Sequence, residues 1–226
     1  MRSQQWIDSL QRLEEEGLSL SQVPLGWDKE NHPVFSHRKN RPDRYCHTCV
    51  TGACRTTFLR DTVCALLEAY GVGGARVLVL SPKREYLQLL SAKGADVLVP
   101  YIGAESQFEK IKAFVLSEVE ERRKNARLPR LFVVVDGLES LSFLPKDNAF
   151  TYLRRLIADL SGGAEILTAV NFKGSIFDGF EGAFVGVGNS LVSADGSGKA
   201  DVAYVGDDCQ LDVPQAITYA TYFEGN

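Results

Sequence analysis

Apolar runs and helical patterns alternate along the chain beyond residue 42. The run LFVVV, in a predicted strand over Leu131–Val135, contains no polar position. Apolar residues on both faces are typical of a parallel strand that helices cover on both sides. Between the strands, apolar residues recur three or four positions apart, as in Phe108, Ile111, Val115 and Val119, which predicts helices. This alternation predicts the α/β class, with a mainly parallel central sheet and flanking helices.

The pattern divides the central part of the chain into strands and helices. The predicted strands are Tyr45–Val50, Arg76–Leu80, Asp96–Val99, Leu131–Val135 and Glu165–Val170. The predicted helices are Thr56–Tyr70, Glu85–Ala92, Ala104–Arg127 and Asp147–Leu160. In this part of the chain, a predicted helix separates each predicted strand from the next, as parallel strands require.

The segments before and after this core have different patterns. Residues 3–16 carry apolar side chains at helical spacing and predict an amphipathic helix that docks on the main body. The string VPLGWDKENHPVF, residues 23–35, has turn residues between short apolar runs and predicts a hairpin. The tail is strand-like over Ala183–Gly188, Ser190–Tyr204 and Ile217–Phe223, which predicts C-terminal antiparallel edge strands.

The composition fits one folded domain. The chain has 226 residues, of which 45% are hydrophobic and 24% are charged, so it can bury a full core. We predict a single domain, with a lead-in over 1–42, an α/β core over 43–182 and a β-rich edge over 183–226. No apolar run reaches the roughly 18 residues of a membrane helix, and the first residues lack the apolar centre of a secretory signal. We therefore expect a soluble chain that does not cross a membrane by itself.

The charge argues against nucleic-acid binding. A formal net charge of −4 does not suggest a large surface that neutralises phosphates. Two local basic clusters, His37–Arg44 and Arg122–Arg130, leave two interpretations open. They contact an acidic partner, or they are a solvated loop and a helix end whose dipole favours positive side chains.

The cysteines indicate a reducing compartment rather than a disulfide framework. There are five of them, an odd number, and no export signal precedes them. Cys46, His47 and Cys49, followed by Cys54, could in principle bind zinc. No second ligand pair has metal-binding spacing, however, and alternation along a strand separates Cys46 from Cys49. Buried or merely small thiols are the favoured interpretation.

A candidate phosphate-binding loop follows the first of the core strands. The string CVTGACRTT, Cys49–Thr57, joins that strand to a helix, where backbone N–H groups and the helix N-terminus can face a phosphate. In the template GxxxxGK[ST], Cys49 and Cys54 replace the glycines and Arg55 replaces the lysine. Thr56 alone keeps its template role, a hydroxyl that can bind Mg²⁺. The candidate nucleotide-binding residues in this loop are Gly52, Ala53, Cys54, Arg55, Thr56 and Thr57.

These replacements oppose tight nucleotide binding. A side chain at a glycine position with positive φ costs roughly 1–2 kcal/mol and also crowds the phosphates. The planar guanidinium of Arg55 does not reproduce the compact ammonium of a lysine. The alternative interpretation is an ordinary strand-to-helix turn that has never bound a nucleotide.

Further candidate site residues stand at the ends of two later strands. Asp136 ends the fourth strand and could hold Mg²⁺ together with Thr56. Gly137 follows it in place of a carboxylate, so the usual general base is missing, and Glu139 lies two residues too late to replace it. Asn171 follows the fifth strand, where it either senses the terminal phosphate or forms a turn. We assign no catalytic residue.

Several strings resemble the FtsK/SpoIIIE family of motor domains, from about Val23 to the C-terminus. VPLGWDKENHPVFSH resembles the hairpin before the phosphate loop, and VLVLSPKREYLQLL resembles the DPK…L segment with Ser81 in place of aspartate. LFVVVDGLESL resembles a Walker B strand without its glutamate. DGSGKADVAYVGDD resembles the closing hairpin, so its GSGK string is a turn rather than a second phosphate loop. The resemblance implies a RecA-like P-loop NTPase fold.

Within that family, the helix ending in EVEERRK before such a strand most resembles a degenerate C-terminal ATPase-like domain of an EssC-type type VII secretion ATPase. The resemblance implies a cytoplasmic part of a membrane-anchored motor, in which other domains hydrolyse ATP. Its partners would be those ATPase domains, a secreted protein substrate, or copies of itself. It would hold no cofactor, or a weakly bound ATP or ADP with Mg²⁺. The alternative is a DNA translocase domain, whose intact phosphate loop and basic inner face this sequence lacks.

Overall fold

The computed structural model describes residues 8, 24–27, 33–35, 46–52, 55–70, 73–91, 96–144, 149–169, 183–187, 190–193 and 202–204. Within these residues, the strands are β1 (Pro24–Trp27), β2 (Pro33–Phe35), β3 (Cys46–Gly52), β4 (Ala75–Leu80), β5 (Asp96–Leu98), β6 (Arg130–Asp136), β7 (Glu165–Ala169), β8 (Ala183–Val187), β9 (Ser190–Ser193) and β10 (Val202–Tyr204). The α-helices are α1 (Arg55–Tyr70), α2 (Glu105–Lys124) and α3 (Ala149–Leu160). Two 3-10 helices cover Arg84–Ser91 and Leu138–Ser140.

All of these strands belong to one sheet, in the order β2-β1-β10-β9-β8-β3-β7-β6-β4-β5. From β8 to β5 in this order, every neighbouring pair is parallel. From β8 to β2, every neighbouring pair is antiparallel. The predicted α/β fold with a mainly parallel sheet is therefore confirmed, and the predicted hairpin in the lead-in is the pair β1 and β2.

The tail strands β9 and β10 pair antiparallel with their neighbours, as predicted. β8 also pairs antiparallel with β9, but on its other side it pairs in parallel with β3, from Cys49 opposite Ala183 to Gly52 opposite Gly186. The outer edge beyond them is formed by β2 rather than by the tail.

Two predicted segments lie almost entirely outside the described residues. Of the predicted helix over residues 3–16, Asp8 is described and is helical. The last predicted strand, residues 217–223, lies outside the described residues.

Hydrophobic residues cover the sheet on both faces, as the apolar run in β6 predicted. One core cluster joins the sheet to α2 and α3 and includes, from β4 and β6, Leu78, Leu80, Val133 and Val135. The other joins the sheet to α1 and the first 3-10 helix and includes Val77, Val79, Phe132 and Val134. Successive residues of β4 and β6 therefore point to opposite faces, as the period of two along a strand requires.

The segment Arg84–Ser91 is a 3-10 helix rather than the α-helix that we predicted over Glu85–Ala92. Tyr86 and Leu89, three residues apart, are both fully buried. A 3-10 helix has three residues per turn, so these two side chains lie on the same side of it. This tighter helix directs Tyr86 into the core beside the end of β6.

The basic cluster at Arg122–Arg130 makes contacts within the chain. The Arg122 guanidinium donates to the Pro129 carbonyl at 2.9 Å and forms an ion pair with Glu118 at 2.9 Å. Arg130 forms an ion pair with Glu165, also at 2.9 Å. These contacts favour the helix-end interpretation over an acidic partner. The other cluster, His37–Arg44, lies outside the described residues.

Among the described residues, no helix combines the length and the apolar character that a membrane crossing requires.

Candidate functional site

Four polar side chains meet at the carboxyl ends of β4 and β6. Asp136 is the last residue of β6 and is 1% exposed. Thr56 lies in the first turn of α1, Lys83 follows β4, and Tyr86 lies on the first 3-10 helix. Parallel strands bring their carboxyl ends to one edge of the sheet, where α/β proteins commonly bind ligands. We call these residues the Asp136 cluster.

The carboxylate of Asp136 accepts hydrogen bonds from the other three residues. The Lys83 ammonium donates to both carboxylate oxygens, each at 2.9 Å. The hydroxyls of Thr56 and Tyr86 each donate to Oδ2, also at 2.9 Å. Lys83 Nζ further donates to Thr56 Oγ1 at 2.7 Å. The buried negative charge is therefore paired with one cation and stabilised by two hydroxyls, as buried charges require.

Tyr86 is held in the cluster as a hydrogen-bond donor. Burial raises the pKa of its hydroxyl well above the usual value, and the nearby negative charge of Asp136 and the hydrogen bond to it act in the same direction. The charge of Glu85 adds to this effect, whereas that of Arg60 opposes it. Tyr86 therefore stays protonated at neutral pH, and its O–H remains available to Asp136.

A turn after β4 places Lys83 over the cluster. The backbone N–H of Lys83 donates to the hydroxyl of Ser81 at 3.2 Å. Serine side chains in turns commonly accept such a bond from the backbone two residues later. Ser81 itself is fully buried. The Lys83 side chain is 28% exposed, so it lies at the opening of the cluster while Asp136 lies at the bottom.

Lys83 and Tyr86 were not predicted as site residues from the sequence. Lys83 belongs to the string SPK that carries the family resemblance, and it follows a strand at the same sheet edge as Asp136. That placement was the available signal. Tyr86 lies in the predicted helix Glu85–Ala92, and a tyrosine at core spacing gives no sign that its hydroxyl has a charged partner.

The predicted nucleotide-site residues are only partly described. Gly52 ends β3, and Arg55 and Thr56 begin α1, so the predicted loop does join a strand to a helix. Ala53, Cys54 and Asn171 lie outside the described residues, as do the side chains of Arg55 and Thr57. Of the predicted positions, the structure brings Thr56 and Asp136 together.

These two residues were also the predicted Mg²⁺ ligands, and their surroundings do not fit that ion. Mg²⁺ requires oxygen ligands at about 2.0–2.1 Å in octahedral geometry. Thr56 Oγ1 and both oxygens of Asp136 already lie within hydrogen-bond distance of the Lys83 ammonium. A divalent ion on the same oxygens would stand directly against that positive charge. With Lys83 in this position, Mg²⁺ is not accommodated.

Gly137 has a conformation that favours glycine. Its φ is 73° and its ψ is 14°, in the left-handed region. A Cβ at this position would lie 2.8 Å from Cε of Lys83. Where the family resemblance implies a glutamate, the chain therefore has a backbone conformation that disfavours any side chain. The aliphatic part of the Lys83 side chain lies in the space that the glutamate side chain would enter. Glu139, the alternative acid, is exposed.

We expect Gly137→Ala to destabilise the fold more than Gly73→Ala. Both glycines have positive φ, so each substitution costs about 1–2 kcal/mol in backbone strain. A Cβ on Gly73 meets no heavy atom within 4 Å, whereas one on Gly137 would lie 2.8 Å from Cε of Lys83, so the lysine side chain must shift. Urea denaturation of both variants measures the difference. Equal losses would show that Lys83 does not lie against Gly137.

Comparison with known proteins identifies the fold. No model of a known protein family matches the chain, and no curated protein matches it. Among solved structures, it is similar to the cytoplasmic domain of the Thermomonospora curvata type VII secretion ATPase EccC, with a TM-score of 0.53 and 16% identity, over 82% of this chain and 26% of that one.

Two further structures give the same result. The cytoplasmic domain of EssC has a TM-score of 0.51 and 13% identity, over 73% of this chain and 36% of that one. EssC (ATPases 2 and 3) from Geobacillus thermodenitrificans has a TM-score of 0.53 and 10% identity, over 82% and 44%. This chain therefore spans less than half the length of each of these proteins. At these identities the likeness shows the fold: the chain has the α/β architecture of the type VII secretion ATPase domain of EccC and of the EssC domains.

Proposed function

We propose that this chain is an ATPase-like module of a protein secretion motor, that it hydrolyses ATP slowly or not at all, and that it acts in partner or substrate binding and in regulation. The observation that carries the proposal is the end of β6. There Asp136 is hydrogen-bonded to Lys83, Thr56 and Tyr86, and the next residue is a glycine with positive φ.

Hydrolysis of ATP needs a group that orients and deprotonates the attacking water. Both oxygens of Asp136 accept hydrogen bonds from the Lys83 ammonium, so this carboxylate is not available as a base. Glu139 lies on the exposed side of the 3-10 turn Leu138–Ser140. Among the described residues, no other carboxylate hydrogen-bonds to the Asp136 cluster. The arrangement supports a module in which nucleotide, ATP or ADP, is at most a weak structural ligand.

The similar structures suggest the setting in which such a module would work. One is the cytoplasmic domain of a type VII secretion ATPase, another is the cytoplasmic domain of EssC, and the third contains ATPases 2 and 3 of EssC. We place this chain in the cytoplasm, beside other ATPase domains of the same motor, where it binds them, a secreted protein or a second copy of itself. In this role the chain binds a partner or substrate and regulates the motor, while another domain hydrolyses ATP.

We expect the purified chain to release no phosphate from Mg-ATP above a protein-free blank. Enzymes typically turn over about 1–1000 times per second, so a rate at least about 100-fold below the lower figure would fit the proposal. The measurement is a continuous phosphate-release assay on the wild type and on Asp136→Asn.

The Asp136→Asn variant serves as the control for contaminating ATPases. A slow release that is equal in both proteins comes from a contaminant, and the proposal stands. Release near one turnover per second in the wild type, lost in Asp136→Asn, would refute it.

A further inference from the structure

We infer that the Lys83 ammonium is a built-in cation that takes the place of Mg²⁺ in this site and keeps divalent cations out of it. The inference deepens the proposed function and rests on it, because it treats the Asp136 cluster as an ATPase-like site. It assigns to Lys83 a role in deciding which cation the site accepts.

Lys83 already occupies the oxygens that were predicted to bind the metal. Thr56 Oγ1 donates a hydrogen bond to Asp136 Oδ2 at 2.9 Å. Lys83 Nζ lies within hydrogen-bond reach of both oxygens, at 2.7 Å from Thr56 Oγ1 and 2.9 Å from Asp136 Oδ2. A lysine ammonium has three donors, and here three oxygens accept from it.

The charge of the cluster is balanced without a metal. Asp136 contributes one negative charge from a position that is 1% exposed, and Lys83 contributes one positive charge. The remaining members, Thr56 and Tyr86, are neutral hydroxyls. A divalent ion added to this set would leave a large uncompensated positive charge in a partly buried site, which is unfavourable. Mg²⁺ could enter only if Lys83 moved away.

The glycine at position 137 makes the placement of Lys83 possible. A Cβ on Gly137 would come within 2.8 Å of Lys83 Cε, so any larger residue there would push the lysine stem aside. The loss of the acid after Asp136 and the position of Lys83 are therefore linked. Glycine at position 137, in place of the expected acid, both removes the general base and leaves room for the Lys83 side chain.

Binding of Mn²⁺, a spectroscopic substitute for Mg²⁺, tests the inference. We expect electron paramagnetic resonance titration of the wild type to show no Mn²⁺ binding that depends on Asp136. Lys83→Met keeps the length of the side chain and removes its charge, and should strengthen Mn²⁺ binding at least about tenfold. The double variant Lys83→Met with Asp136→Asn should lose that gain. Lys124→Met, on an exposed lysine at the end of α2, is the matched control and should bind Mn²⁺ like the wild type.

Two results would overturn the inference. One is Mn²⁺ binding by the wild type that disappears in Asp136→Asn. The other is a folded Lys83→Met variant that gains no Mn²⁺ binding. Should Lys83→Met fail to fold, Lys83→Gln retains a hydrogen-bond donor and is subject to the same criterion.

The outcomes also separate this inference from the proposed function. Asp136-dependent ATP turnover near one per second in the wild type would refute the proposed function. Asp136-dependent Mn²⁺ binding without turnover would refute the role of Lys83 and leave the proposed function intact.

Discussion

Asp136→Ala is expected to lower the free energy of unfolding by about 4 kcal/mol. Removing one partner of a buried ion pair typically costs about 3–5 kcal/mol, because the other charge is left uncompensated. Lys83 is 28% exposed and can turn partly toward water, which reduces its contribution to the loss of stability. Tyr86 is fully buried, so its hydroxyl cannot reach water. A buried donor left without an acceptor costs about 1–3 kcal/mol.

Urea denaturation measures this loss as a lower transition midpoint at an unchanged m-value. Asp159→Ala is the matched control, since Asp159 is an exposed aspartate near the end of α3, and surface substitutions of this kind usually change stability by about 0.5 kcal/mol or less. If Asp136→Ala and Asp159→Ala were equally stable, the Asp136 cluster would not exist in the folded protein in solution.

Phe108→Ala is expected to cost about 3–5 kcal/mol, the range for truncating a buried aromatic side chain. Phe108 is 0% exposed and lies in the core between α2, α3 and the sheet. Its ring centroid is 5.9 Å from that of Phe143 and 6.0 Å from that of Tyr152, within the range of favourable aromatic contacts. The substitution would leave a cavity among these rings.

Phe114→Ala provides the comparison, because Phe114 is on the same helix but only partly buried. We expect less than half the loss at this position, measured again by chemical denaturation. A loss at Phe114 as large as that at Phe108 would contradict the packing described for α2.

The sequence predicted the core of the fold well because burial leaves a repeating pattern. The run LFVVV placed β6 within one residue of its observed bounds at each end, Arg130–Asp136. The apolar stripe from Phe108 to Val119 identified the face of α2 that packs on the sheet. The Gly-containing run of β8 gave no comparable sign of direction, and so its parallel pairing with β3 was not predicted from the tail.

The candidate site was predictable only in part, for a related reason. Thr56 and Asp136 could be proposed because each belongs to a motif with a known local position. Lys83 is 53 residues from Asp136 along the chain. The parallel register of β4 and β6, with Leu80 opposite Val135, brings it there. The hydrophobic pattern of the sequence does not predict the contact between Lys83 and Asp136, because that contact depends on which strands become neighbours.

The pairing of β1 with β10 has a consequence for the order of events during synthesis. Gly26 lies opposite Tyr204, so a ladder at one side of the sheet joins residues from far apart in the chain. Ribosomes add about 5–20 residues per second, so on the order of ten seconds or more pass before β1 meets its neighbour. During that interval the edge of β1 that will face β10 is unpaired. The ladder between β1 and β10 therefore forms only after β10 has been synthesised.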